Sequence, residues 1–220
     1  MKNILARGGI EFLAVLLGIT LSLWVDENSK NKDIHLALQK DLINIRADLN
    51  KDLNEIERID SLKTKGLEQL EIYLDIINNK RQIEDADSTL LFNNYGNISY
   101  TFFPMGSSYL VSLNSGRINY IEDLELIIAL SKYYQNSYER IKTNNFMFDE
   151  FLNKNFFRFR SILEGQKTVK DKINILKSGR FSEYILEAED RISAYQSYVL
   201  VDMKNSANNL LNILEINIEK

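Results

Sequence analysis

Few residues in this chain are of a type and spacing that could do chemistry. Glu11 is the only formally charged residue in the run Ile10–Val25, IEFLAVLLGITLSLWV. A carboxylate in such a segment can carry a proton or an ion. It also follows Arg7 by four residues, the spacing at which opposite charges on a helix meet. It lies near the end of the run, where a charge costs less, so pairing with Arg7 is the expected role. His35 is the only histidine and there is no cysteine. A Ser-His-Asp triad away from His35, a multi-His metal site and thiol chemistry therefore all lack their residues. No P-loop, G-x-G-x-x-G or G-x-S-x-G pattern occurs. The pairs Glu122/Asp123 and Glu189/Asp190 fall beside helix caps or on polar faces, where they complement helix dipoles. The carboxylates of a carboxylate-only glycosidase are present, but in the wrong settings for that chemistry. The expectation is a protein that is not an enzyme, with no cofactor and no metal.

The element that would position Glu11 is a membrane anchor. Counted from Ile4, with Arg7 reaching back to the headgroups, the apolar stretch to Val25 covers about 33 Å as a helix, enough to cross a bilayer. It ends in Leu23-Trp24-Val25-Asp26, a poor site for signal cleavage, and Trp24 suits the membrane interface. Ala14, Gly18 and Ser22 form a stripe of small residues at the spacing that lets two membrane helices approach closely. The same stripe turns Glu11 toward a partner helix, so a homo-oligomer is expected. The short basic start, with Lys2 and Arg7, favours an N-terminus inside. The remaining chain would then be extracytoplasmic, which in a Gram-negative inner membrane means periplasmic.

Beyond the anchor the composition is helical. The 220 residues include one Pro and nine Gly, and Leu, Ile, Lys, Glu and Asn are abundant. The net charge of −4 argues against nucleic acid as a partner. The fold class expected is all-α, the N-terminal transmembrane helix continuing into an elongated antiparallel helical bundle. Residues 1–25 form the anchor and 26–220 the extracytoplasmic domain. The polar segment 26–33 carries no helix breaker, so the helix should continue. Leu38, Leu42, Ile45, Leu49, Leu53 and Ile56 recur at about the 3.6 spacing of a globular-bundle helix. That helix spans 26–79, with a kink at Lys63–Gly66, and unbroken from Ile4 it would exceed about 100 Å.

A linker and short helices fill 80–116. Thr89–Tyr95 is one such helix, Thr101–Pro104 is extended, and Tyr109–Asn114 is capped by Ser107 or Ser108 and stopped at Gly116. Asn119 and Glu122 make a capping box that opens a long helix, 119–163, with a stripe through Leu124, Ile128, Tyr134, Tyr138 and Ile141. A basic connector, 164–180, leads to a last helix, 181–218, with a stripe through Tyr184, Ile192, Tyr195, Val199, Met203 and Leu210. The Phe-rich part of the middle helix, with Phe146, Phe148 and Phe151, is more often core than surface. With Lys154, Arg158 and Arg160 it is also the candidate surface for an unknown protein partner.

Two stretches resemble a known group. One is Glu11-(six)-Gly18-(three)-Ser22-Leu23 followed by Glu27 and Leu38. The other is Tyr109-Leu110-Val111-Ser112-Leu113-Asn114-Ser115-Gly116, then Ile121-Glu122-Asp123-Leu124 and Tyr133-Tyr134. They resemble the E-(six)-G-(three)-A-L start and the Y-x-x-L-x-x-S-G core of a large group of uncharacterised single-span bacterial membrane proteins. Ser22 stands where the pattern has Ala. The resemblance covers about a third of the chain; it implies a fold and an anchor and implies no activity.

The function expected is that of a membrane-anchored helical interaction or scaffold protein. The alternative is a subunit of an ion-linked or ion-conducting assembly that uses Glu11.

Overall fold

The computed structural model describes the backbone of residues 2–82 and 95–218, and the side chains of 12–82, 97–155 and 157–218. The described residues are mostly helical and none is in a strand, so the chain is all-α. Helix α1, Lys2–Ile77, is continuous through the polar segment 26–33 and does not break at Lys63–Gly66. It ends where Asn79 takes a left-handed φ of 59°, the conformation that closes many helices. The short helix expected at Thr89–Tyr95 lies almost wholly outside the described residues.

The buried side of α1 runs Leu38, Leu42, Ile45, Leu49, Asp52, Ile56, Ile59, Lys63, Gly66, Leu70, Tyr73. These positions alternate steps of four and three, a 3.5 period, which is the spacing of a coiled-coil seam. The seam passes through Asp52, and Leu53 is only half-buried. Polar residues thus occupy core positions that the expected stripe assigned to a leucine.

The chain groups into two compact units, residues 1–45 with 107–122, and residues 46–106 with 123–220. In the first, α2 (Ser107–Asn114) ends at Gly116, whose φ is 73°, a conformation a side chain would resist. A 3-10 turn, Arg117–Tyr120, follows. The Arg117 guanidinium donates to both oxygens of Asp41 on α1, at 2.6 and 3.1 Å, the bidentate geometry that suits arginine best. Exposed His35 meets Tyr120 edge to face at 6.4 Å.

The second unit packs three helical runs. The first is the later part of α1. The second is α3 (Leu124–Ser131), a π turn (Lys132–Ser137), α4 (Tyr138–Phe151), a second π turn (Leu152–Phe156) and α5 (Phe157–Glu164). After α6 (Val169–Leu176), the third is α7 (Gly179–Ala194), a π turn (Tyr195–Leu200) and α8 (Val201–Ile218). The contacts fix their directions. Asp123 meets Asn217, Asn145 meets Tyr195, and Phe159 meets Phe181, so the second and third runs are antiparallel. Glu57 meets Lys204 and Asn79 meets Lys177, so α1 is antiparallel to the third run as well.

Several expected details are corrected. The cap of α3 is Asp123, whose Oδ1 accepts from the amides of Glu125 and Leu126 at 2.8 and 3.2 Å. Asn119 lies in the 3-10 turn before it, so the Asn119–Glu122 box does not open the helix. Leu124 and Ile128 are exposed, and Leu126, Ala129 and Leu130 form the buried side. Leu200 is buried where Val199 was expected. The basic connector contains α6, capped by Thr168, whose hydroxyl accepts from the Asp171 amide at 3.1 Å.

Candidate functional site

Because α1 and the second run point the same way, the chain must return along the bundle between them. Residues 100–106 make much of that return without regular structure. This strap is buried at Phe102 and exposed at Tyr100, Phe103 and Met105, and its backbone groups have no ladder to satisfy them. Side chains from all three runs do so instead. Lys63 Nζ donates to the Ile98 carbonyl at 2.6 Å. The Phe102 amide donates to the Tyr195 hydroxyl at 2.9 Å, and Asn145 Nδ2 donates to the Phe102 carbonyl at 2.7 Å. The Tyr195 hydroxyl in turn donates to Asn145 Oδ1 at 2.8 Å. The Met105 amide donates to Asp52 Oδ1 at 2.9 Å, and the Tyr133 hydroxyl to Asp52 Oδ2 at 2.7 Å. Gly66 completes the clasp by leaving room: a Cβ there would lie 2.3 Å from Ile98 Cγ2.

Burial sets the electrostatics of this clasp. Lys63 has no exposed surface, and burial pushes its ammonium down from 10.5 to about 7, with Asp149 pulling the other way. Its Nζ lies 3.7 Å from the ring centroid of Phe148 and 4.9 Å from that of Tyr195, ring faces that favour the charged form. Burial pushes Asp52 up from 3.8 to about 6, against the lowering effect of its bonds from Met105 and Tyr133; Asp48 and Glu55 push it further. The Tyr133 and Tyr195 hydroxyls are held well above their usual range, again by burial first. A lysine titrating near neutrality is a potential nucleophile. This one is sealed under two rings and tied to a carbonyl, so what it does here is hold the strap.

The residues singled out from the sequence lie elsewhere. Every side chain from Phe12 to Val25 is exposed. Ala14, Gly18 and Ser22 share one exposed stripe, nothing lies within 4 Å of where a Gly18 Cβ would be, and Trp24 is exposed. Arg7 and Glu11 are on the helical backbone of α1, and their side chains lie outside those described. The aromatic surface is corrected. Phe146 is exposed, whereas Phe148 and Phe151 are core, against Tyr195 and Tyr184 at 5.6 and 5.3 Å between ring centroids. Lys154 and Arg158 are exposed and Arg160 half-buried. Lys154 is paired with Glu150 and Arg160 with Glu164. Sequence reading missed Asp52, Lys63, Asn145 and Tyr195; the signal that could have found the first two is the 3.5 period, which places them on the seam.

Among the described residues no group of three or more His, Asp or Glu side chains could hold a metal. One helix is long and apolar enough to cross a membrane, by length and composition. The profile of one sequence family, described as a family of unknown function (DUF6090), matches residues 10–182. No curated protein matches the chain, and no solved structure does.

Proposed function

This chain belongs to the DUF6090 family of unknown function, and we propose from its structure that it is a membrane-anchored helical interaction module, a scaffold that binds a protein partner. The observation that carries this reading is the form of α1. Its apolar segment Phe12–Val25 is exposed all round, yet the same helix continues without a break into a packed bundle. An all-round apolar helix is at home in lipid. Lys63, Asn145, Tyr195 and Asp52, the buried polar groups of the clasp, bond the strap's backbone and one another. The short basic start with Lys2 and Arg7 makes insertion with the N-terminus inside the simpler route, although Lys30 and Lys32 follow the span and the bias is slight; the bundle then lies outside the cytoplasm, in a bacterial inner membrane. Phe146, Lys154, Arg158 and Arg160 are the partner surface in this reading.

The test is membrane extraction and crosslinking. The full chain should stay with the membrane in alkaline carbonate, and a photo-crosslinker at position 146 should capture a defined non-self protein from native membranes. Release by carbonate removes the anchor. Capture of nothing but the chain itself removes the scaffold.

Self-association through Ala14, Gly18 and Ser22 is part of the same proposal. Gly18→Leu puts a branched side chain where two backbones would approach, so it should shift the detergent-solubilised protein toward monomer, about tenfold in dissociation constant. Analytical ultracentrifugation reads this, and an unchanged oligomer refutes it.

A further inference from the structure

The groove between α4 and the π turn Tyr195–Leu200 has a character that the scaffold reading does not use. It encloses about 330 Å³, and its floor is the buried pair Phe148 and Tyr195. Met147 and Tyr198, both mostly exposed, stand at its sides. Its charged lining residues are Arg140 and Arg191, with no carboxylate among the lining. Arg140 reaches Asp202 only at 3.8 Å, in an exposed pair. Arg191 bonds Glu187 at 2.8 Å and lies over the Phe151 ring at 4.6 Å. The Arg140 pair is long, exposed and worth little, so Arg140 is the guanidinium an incoming anion recruits first, while at Arg191 it competes with Glu187, held through both Nε and Nη2. A π turn carries one residue more than an α turn and often marks a ligand site; here it supplies Tyr195, Tyr198 and Val199 to the lining.

We propose that this groove binds a small amphipathic anion, an aromatic or acyl body ending in an oxyanion, with the body on Phe148 and Tyr195 and the oxyanion between Arg140 and Arg191. The volume lies at the lower end of small-molecule sites, so the ligand is compact. Guanidinium forks bind carboxylate and phosphate alike; the shared requirement is a terminal oxyanion on an apolar stem.

The test uses the full chain in zwitterionic nanodiscs, with empty discs as the blank. Titration calorimetry with 3-phenylpropionate, phenyl phosphate and the neutral 3-phenylpropanol gives the affinities. At least one anion should bind saturably, with Kd no weaker than about 1 mM, and the alcohol should bind at least tenfold more weakly. The tighter anion identifies the head group. Arg140→Gln and Arg191→Gln should each weaken binding about tenfold, the usual loss for one charge-assisted contact. Ala194→Leu, which fills the groove and keeps both arginines, should abolish it. Circular dichroism checks that each variant is folded. No saturable binding of either anion up to about 10 mM, equal binding of the alcohol, or full affinity in the folded arginine variants overturns the proposal.

Discussion

The contribution of two buried charges to stability is expected to be lowest between about pH 6 and pH 7. Lys63 has a folded value of about 7 against 10.5 when unfolded. Between those values the unfolded chain holds a proton that the folded chain has released, so stability rises with pH. The gain is complete above 10.5 and lost as pH falls to 7. Asp52 runs the other way, at about 6 folded against 3.8 unfolded. There the folded chain holds the extra proton, and stability falls as pH rises from 3.8 to 6. The Lys63 limb is worth about 3–5 kcal/mol, the lower figure allowing for the favourable ring faces of Phe148 and Tyr195. The Asp52 limb, partly screened by solvent, is worth about 1–2 kcal/mol. Denaturant midpoints of the full chain from pH 4 to pH 10 measure both. Lys63→Met should flatten the alkaline limb and Asp52→Asn the acid limb. If both variants keep the wild-type profile, these groups are not buried as charges.

Tyr195→Phe is expected to cost about 2–4 kcal/mol although the ring stays in place. The hydroxyl accepts from the Phe102 amide and donates to Asn145, with all three groups buried. Removing it strands a buried N–H and a buried side-chain oxygen, each costing about 1–3 kcal/mol. The loss should be local as well as global: the Phe102 amide should exchange with solvent faster than its neighbours, because the strap loses the bond that ties it to the third helical run. Tyr198→Phe, exposed on the same π turn, is the control and should stay within about 0.5 kcal/mol. Equal effects of the two substitutions would show that the clasp does not depend on the hydroxyl.

The all-helical class, the unbroken passage from the apolar segment into the bundle and the Gly116 stop were all legible in the sequence, because each rests on local chemistry. The register was harder. Leu53 outcompetes Asp52 in any reading that looks for apolar periodicity, yet Asp52 holds the seam because the strap needs an acceptor for Met105 there. Lys63 lies in the segment Lys63–Gly66 expected to kink; it is buried because Ile98 offers it a carbonyl. Long-range demands of this kind leave no mark within a few residues. Asn119 is the cap that a local motif suggests, but the 3-10 turn after Gly116 takes up that residue and leaves the cap to Asp123. Val199 was chosen over Leu200 because an α period cannot anticipate a π turn. The clasp is therefore invisible as a unit, whereas the exposure of Ala14, Gly18, Ser22 and Trp24 follows from their place in an apolar run that no other part of the chain covers.

The three π turns also bear on how this chain can change length. A deletion inside an ordinary helix rotates everything downstream by about 100° and takes its core face out of the core. At Lys132–Ser137, Leu152–Phe156 and Tyr195–Leu200 the chain already carries a surplus residue. Losing one residue there tightens the turn to the α form and preserves the register on both sides. These turns are therefore points where the length of the chain is negotiable inside a helix, a tolerance usually found only in loops. Descendants of this sequence can gain or shed residues there while the clasp around the strap keeps its place.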